Sequence, residues 1–319
     1  MEINERNIKT WSLIGQRATF GLIALDLVKK NDNLIILTSD VSTSAGLDRF
    51  RKTYPSNYVD VGIAEQNLIG VAAGLASENF KVFTTTFAPF QTLRCCEQIK
   101  VNLGYMKQKV CMIGLASGLN LGTLGYTHCS IEDLSVMRSI PNINVFRPAD
   151  STETLECWEL ALENLYSPSI IALTRQKLQP VRKEFVNQNM CSKGAYELSR
   201  NNQKIDLTIF ASGSEVNLAL EVSHKLATEN TYSKVISVPC QNLFEKQSVN
   251  YMEKILNESK FKISIEAGST DCWKKFVGEK GLSFGINNFG KSAPYKDVFK
   301  FYGLTSESIT KKVKEMLNN

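Results

Sequence analysis

The sequence predicts an α/β protein made of two doubly wound, mostly parallel sheet domains. Short apolar runs alternate with helix-period segments along most of the chain, the pattern of repeated βαβ units. The alternation fails once, between Gln176 and Lys193, where Pro180, clustered charges and polar residues interrupt it; such a stretch reads as a domain boundary. At 319 residues and 43% hydrophobic, the chain can fill two cores. Residues 1–180 and 193–319 are the expected domains.

The first helix is expected from Asn7 to about Lys30 on the spacing of Ile14, Phe20, Ile23, Ala24 and Leu27, followed by a buried strand over Leu34-Ile35-Ile36-Leu37-Thr38. A helix beginning near Glu65 leads to a strand over Lys81–Thr85, a helix from Leu93 to Val101 and a strand over Val110–Gly114. After a glycine-rich loop come a helix near Ile131–Ser139, a strand over Ile143–Phe146, a helix from Ser151 to about Leu165 and a strand over Ser169–Leu173. Ligands are expected at the strand ends of such a sheet. The second domain repeats the scheme. Its strands fall near Leu207–Phe210, Val235–Val238 and Phe261–Ile265, and its helices near Ser214–Leu226, Val249–Leu256 and Ser306–Leu317. Ser212-Gly213-Ser214-Glu215 has the Ser-x-x-Glu spacing of a helix capping box.

Composition excludes several classes of function. A formal charge of +5 with scattered Lys and Arg leaves no basic face for nucleic acid. The apolar runs fall short of a membrane span, and Met1-Glu2-Ile3-Asn4-Glu5 is too acidic for a signal peptide. A soluble, cytoplasmic protein is expected. The eight cysteines form no CxxC pair and there are two histidines, His128 and His224, so neither a disulfide framework nor an all-protein metal site is indicated.

The stretch with most chemical content is Val59-Asp60-Val61-Gly62-Ile63-Ala64-Glu65-Gln66-Asn67. Beyond Glu65 nearly every residue to Ala76 is apolar or small, so the helix is expected to be enclosed on all sides, with Glu65 near the mouth of a core. A carboxyl group there can share a proton with a ligand nitrogen, as general acid–base chemistry requires. A solvated glutamate in a first helical turn is the simpler alternative.

Gly62-Ile63-Ala64-Glu65-Gln66-Asn67 resembles the pyrimidine-binding signature of the transketolase group of thiamine-diphosphate enzymes. Ala211–Val216, Glu266-Ala267-Gly268, Trp273, Phe289–Pro294 and Tyr302–Thr305 resemble the C-terminal domain of the same family. The resemblance runs through almost the whole chain but covers only the second half of a full-length transketolase. It implies that Glu65 hydrogen-bonds the cofactor's pyrimidine nitrogen, that Phe87 and Phe90 pack on the aminopyrimidine, and that Ile63 lies with them. Asp40 is implied near the cofactor at a subunit interface. His128, in Gly122-Thr123-Leu124-Gly125-Tyr126-Thr127-His128, is implied to face the reacting oxygens of the substrate. Arg17, Ser44 and Arg175 are implied to bind a sugar's terminal phosphate. By spacing alone, Phe87 and Phe90, three apart beyond a strand end, fall on one helical face, and His128 and the two arginines would read as structural or surface residues.

Three positions depart from the family pattern. Leu93 stands for a third aromatic, Leu124 for an aspartate that reads a sugar hydroxyl, and Ala116 for a histidine that helps to hold phosphate. The last two imply a modified, deoxygenated or differently phosphorylated sugar, because unpaired buried hydroxyls are penalised. The Gly-Asp-Gly motif that holds the diphosphate and a Mg²⁺ or Ca²⁺ ion in the family does not occur here. The resemblance therefore implies the C-terminal subunit of a split transketolase, completed by a diphosphate-binding subunit that holds the metal, as an α2β2 heterotetramer. Two alternatives stand beside it. One is a related enzyme with a 2-oxo acid donor, like deoxyxylulose-phosphate synthase or an oxo-acid dehydrogenase β subunit; the other is a degenerate subunit that binds a partner without catalysis.

Overall fold

A computed structural model describes residues 4–164, 167–182 and 188–318. The expected end of one helix at Leu165, part of the boundary stretch and the terminal Met1-Glu2-Ile3 lie outside the described residues. Six strands form the first sheet: β1 (Leu34–Thr38), β2 (Tyr58–Asp60), β3 (Lys81–Phe87), β4 (Val110–Leu115), β5 (Asn144–Phe146) and β6 (Ser169–Leu173). All pair in parallel, in the order β2-β1-β3-β4-β6-β5. The chain steps from β1 to β2 on one side and then crosses to β3 on the other, which opens a crevice beyond the carboxyl ends of β1 and β3.

Both faces of this sheet are buried, which is why its strands read as continuous apolar runs. One face packs Leu34, Ile36, Phe83 and Ile113 against Phe20, Ile23 and Trp158. The Trp158 ring stacks on both Phe20 and Phe83, at 5.0 and 4.9 Å between centroids. The opposite face packs Ile35, Leu37, Val82 and Met112 against Leu68, Ile69 and Ala72.

The first helix, α1 (Glu5–Leu27), is broken at Gly15, whose φ of +79° is left-handed, a conformation glycine adopts without steric cost. Farther along, a Cβ on Gly21 would lie 2.3 Å from the carbonyl oxygen of Gly46. A bare Cα there lets the loop after β1 lie against α1. The break and the close approach together set Arg17 beside that loop.

The second sheet holds β7 (Tyr196–Arg200), β8 (Leu207–Ala211), β9 (Ser233–Ser237), β10 (Phe261–Ile265) and β11 (Leu282–Phe284), ordered β11-β10-β8-β9-β7. Only β7 is antiparallel, with an irregularity between Glu197 and Ser199. Strands β2, β7 and β11 are absent from the sequence reading because each is a partly exposed edge strand without a continuous apolar run. The segment expected as one helix over Leu93–Val101 is instead a 3-10 turn (Leu93–Cys95), one α-helical turn (Cys96–Gln98) and a π-helical stretch (Ile99–Tyr105).

The expected capping box does not form. Ser212 Oγ donates to Glu266 Oε1 at 2.5 Å, and the Glu215 carboxylate accepts from the Ala267 amide at 3.0 Å and pairs with Arg147 at 2.8 Å. These groups belong to a buried network between the domains, which outcompetes a local helix cap. Arg138 grips Glu266 through two hydrogen bonds of 2.9 and 2.8 Å. Trp273 Nε1 donates to the same carboxylate at 2.8 Å, and Arg147 lies 3.3 Å from it.

Candidate active site

The crevice at the switch point is built from the segments that follow β1, β2, β3, β4 and β6. The helix α2 (Glu65–Ser77) starts on the loop after β2, and Glu65 in its first turn is 5% exposed. Its partner is Arg94, whose Nη1 lies 2.8 Å from Glu65 Oε1. The remainder of α2 departs from expectation. Leu68, Ile69, Ala72 and Ala73 are buried, but Gln66, Asn67, Gly70 and Gly74 are exposed. A Cβ on Gly70 or Gly74 would meet nothing within 4 Å. Ile63, just before the helix, is 78% exposed. An apolar helix reads as enclosed, yet within this chain one side of α2 is open.

Phe87 and Phe90 come together, though not on one helical face. Phe87 is the last residue of β3 with extended backbone, and Phe90 lies in the helical turn Ala88–Gln91. Their centroids are 6.2 Å apart and edge to face. His128 closes the cluster, its ring 5.0 Å from Phe90 and 6.0 Å from Phe87. Its Nδ1 shares a hydrogen bond of 2.9 Å with Thr127 Oγ1, which fixes the ring and leaves Nε2 for a ligand. Cys129 is buried and its thiol is pushed up by burial first and then by the charge of Glu132. It makes no pair with His128.

Beside Phe87 stands Arg175, its guanidinium carbon 5.8 Å from the ring centroid. Partial burial, and next the positive charge of Arg17, hold Arg175 below its ordinary value. Two cations facing one crevice without a carboxylate between them suit an anion. Arg17 Nη1 donates weakly to the carbonyls of Thr43 and Ser44 at 3.4 Å, so Ser44 joins this end of the crevice.

Asp40, beyond β1, has φ +53° and is exposed. Its amide donates to Asp60 Oδ1 at 2.9 Å, as does the amide of Gly62. Burial raises the Asp60 carboxyl, but these two N–H donors and the hydroxyls of Thr38 and Tyr58 outweigh it and hold the group below its usual value. Asp60 thus ties the Asp40 loop to the Glu65 loop. Sequence reasoning missed it, and also missed Arg94 and Thr127. The spacing of four residues from Phe90 to Arg94 was the available signal.

Of the departing positions, Ala116 is buried with φ +59°, and Leu124 is 53% exposed. Neither side chain offers a hydrogen bond. Among the described residues no group of three or more His, Cys, Asp or Glu could hold a metal ion, and no helix is long and apolar enough to cross a membrane. All eight cysteines are free thiols.

A buried carboxylate, two edge-to-face phenyl rings and an oriented imidazole at a sheet's switch point define a cleft suited to a flat, protonatable heterocycle, with an anion at its far end. Comparison with known proteins agrees with that class. The transketolase pyrimidine-binding domain matches residues 14–180, and the transketolase-like C-terminal domain matches residues 194–305. The chain belongs to the transketolase family. It is similar to a transketolase of Sinorhizobium medicae, 33% identical over 305 residues that make up 92% of this chain and 43% of the relative. It superposes on the crystal structure of transketolase from Campylobacter jejuni with a TM-score of 0.87 at 29% identity, covering 95% of this chain and 46% of the other. The chain therefore spans less than half the length of these two proteins. A second solved structure, described as "Split gene transketolase, inactive beta4 tetramer", is matched end to end. Its TM-score is 0.80 at 26% identity, with 96% of this chain and 99% of that one covered.

Proposed function

We propose that this chain is the C-terminal subunit of a split, thiamine-diphosphate-dependent transketolase, with residues 1–180 as pyrimidine-binding domain and 193–319 as C-terminal domain. The observation that carries the reading is the buried Glu65 beside the Phe87–Phe90–His128 cluster, next to a helix face that none of the described residues covers. The donor set fits the cofactor's aminopyrimidine: a carboxylate oxygen for a ring nitrogen and aromatic walls for a flat ring. When bound, thiamine diphosphate supplies a carbon nucleophile toward a ketose carbonyl.

In this reading Glu65 holds and moves a proton at the pyrimidine nitrogen, with Phe87, Phe90 and the apolar Ile63 fixing the ring plane. Asp40 stands at the rim of the cofactor site. His128 Nε2 donates to the reacting oxygens of the sugar, and Arg17, Arg175 and Ser44 hold its phosphate. With Leu124 and Ala116 unable to pair a hydroxyl or phosphate, the substrate is a modified or deoxygenated sugar phosphate. The reaction moves a two-carbon ketol unit between such sugars.

The diphosphate and its Mg²⁺ or Ca²⁺ ion belong to a second subunit carrying Gly-Asp-Gly, in a cytoplasmic α2β2 heterotetramer without nucleic-acid or membrane contacts. The end-to-end match to a split-gene chain described as an inactive tetramer supports this dependence. A 2-oxo acid donor is the second reading; the Arg17–Arg175 pair favours phosphorylated sugars over it.

The test is reconstitution with the Gly-Asp-Gly subunit, followed by calorimetric titration with thiamine diphosphate and assays of ketol transfer and CO₂ release. The mixture is expected to bind the cofactor and transfer a ketol unit without CO₂, and Glu65→Gln to lower turnover by about 10² or more. Equal thermal stabilisation of the isolated chain and the mixture by thiamine diphosphate, or a fully active Glu65→Gln complex, overturns the proposal.

A further inference from the structure

Glu65 has an arrangement that the proposed function leaves unused. One carboxylate oxygen, Oε1, is taken by Arg94 at 2.8 Å, and the other has no donor among the described residues. The carbon of the same guanidinium lies over the Phe90 ring, 4.1 Å from the centroid. Arg94 itself is 43% exposed at the side chain, against 5% for Glu65. Its backbone is pinned independently, since Gln66 Nε2 donates to the Arg94 carbonyl at 3.0 Å. One planar group thus touches both the candidate acid–base residue and an aromatic wall of the pocket.

We propose that Arg94 is a positioning residue of the pyrimidine pocket. It grips Glu65 through Oε1 so that Oε2 is left as the acceptor for the ligand nitrogen, and it braces the Phe90 ring on which the ligand packs. The inference rests on the reading of Glu65 and Phe90 as pyrimidine contacts. A buried carboxylate needs a cation in any case, but any cation would meet that need. Reaching over Phe90 at 4.1 Å while pairing with Glu65 at 2.8 Å suits a planar, delocalised cation, which arginine provides and lysine does not. Holding one oxygen also removes the rotation of the carboxylate, so the free oxygen is pre-oriented before the ligand arrives. Because Arg94 is largely exposed and its carbonyl is held by Gln66, its side chain can be removed while the turn Leu93–Cys95 stays in place.

The experiment uses the complex with the Gly-Asp-Gly subunit and reads cofactor affinity by calorimetry, with thiamine as a probe lacking the diphosphate. Arg94→Met is expected to weaken binding of both by about ten- to a hundredfold, the effect of losing one charged contact, with melting temperature and subunit assembly unchanged. Arg94→Lys is expected to bind as weakly as Arg94→Met. In Arg94→Ala, added methylguanidinium is expected to restore affinity, which a merely structural role would not produce. Wild-type affinity in Arg94→Met alongside lost affinity in Glu65→Gln would overturn the role of Arg94 and leave the pocket standing. Tighter binding in Arg94→Met would also overturn it, showing that Arg94 sits in the ligand's place. Unchanged affinity in both variants would instead remove the pocket reading itself.

Discussion

The two sheets share a winding scheme, but their carboxyl ends are finished in opposite ways. Beyond β8 and β10 every charge is answered: Arg138 and Arg147 surround Glu266, Glu215 takes Arg147 and an amide, and Trp273 and Ser212 complete the donors to Glu266. The cations hold the Glu266 carboxyl well below its usual value although burial alone would raise it. Beyond β1 and β3 the charges are left over. Arg17 and Arg175 repel each other, and among the described residues one oxygen of Glu65 has no donor and Gly70 and Gly74 face open space. A saturated network leaves nothing for a ligand to gain and serves to fix the domains; unsaturated groups held at a strand end are where binding can be favourable.

The largest effect expected from this contrast is on stability. Glu266→Ala strips two buried arginines, an indole N–H and a hydroxyl of their acceptor, and should cost about 3–5 kcal/mol in a denaturant titration; a change within about 0.5 kcal/mol would mean the closed end is not a clamp. Arg175→Met should do the reverse. Its loss leaves no carboxylate stranded and relieves Arg17, so the melting temperature should hold or rise. The KM for the phosphorylated sugar should meanwhile climb about tenfold or more with kcat nearly kept. A drop in stability with unchanged KM would erase the distinction between the ends.

The smallest expected effect is a pH slope at the domain junction. Glu153 is fully buried and accepts from Tyr196 Oη at 2.7 Å, Ser237 Oγ at 2.6 Å and the Ala149 amide at 2.7 Å. Burial, and next the charge of Asp150, push its carboxyl up to about 7. A carboxyl raised in the folded state binds its proton more tightly there than when unfolded. Its contribution to stability is therefore greatest at the acid side and falls as pH rises to about 7. The melting temperature should decline over that interval, and Glu153→Gln should flatten the decline. An unaltered slope in the variant would place the titration elsewhere.

Much of the fold was legible because buried parallel strands announce themselves: β1, β4 and β6 are apolar at almost every position and lie fully buried. The edge strands β2, β7 and β11 were not, since part of each faces water and its residues obey no strict pattern. The capping box at Ser212–Glu215 failed for a related reason. A local motif competes with distant partners, and Glu266 and Ala267, which lie more than fifty residues away, offered better ones. In the crevice, Glu65, Phe87, Phe90 and His128 could be named from a family signature, but Arg94 could not: its spacing points only to Phe90, and its contact with Glu65 comes from a distant part of the chain.

By itself the sequence determined the two-domain α/β class and the residue types able to meet a flat heterocycle and a phosphate. These follow from periodicity and side-chain chemistry, which are local. Tertiary structure alone decided which charges are spent and which are spare: that Glu215 and Glu266 lock the domains together, that Glu65 keeps one oxygen open, and that one side of α2 faces outward. Electrostatic satisfaction depends on groups brought together from distant parts of the chain.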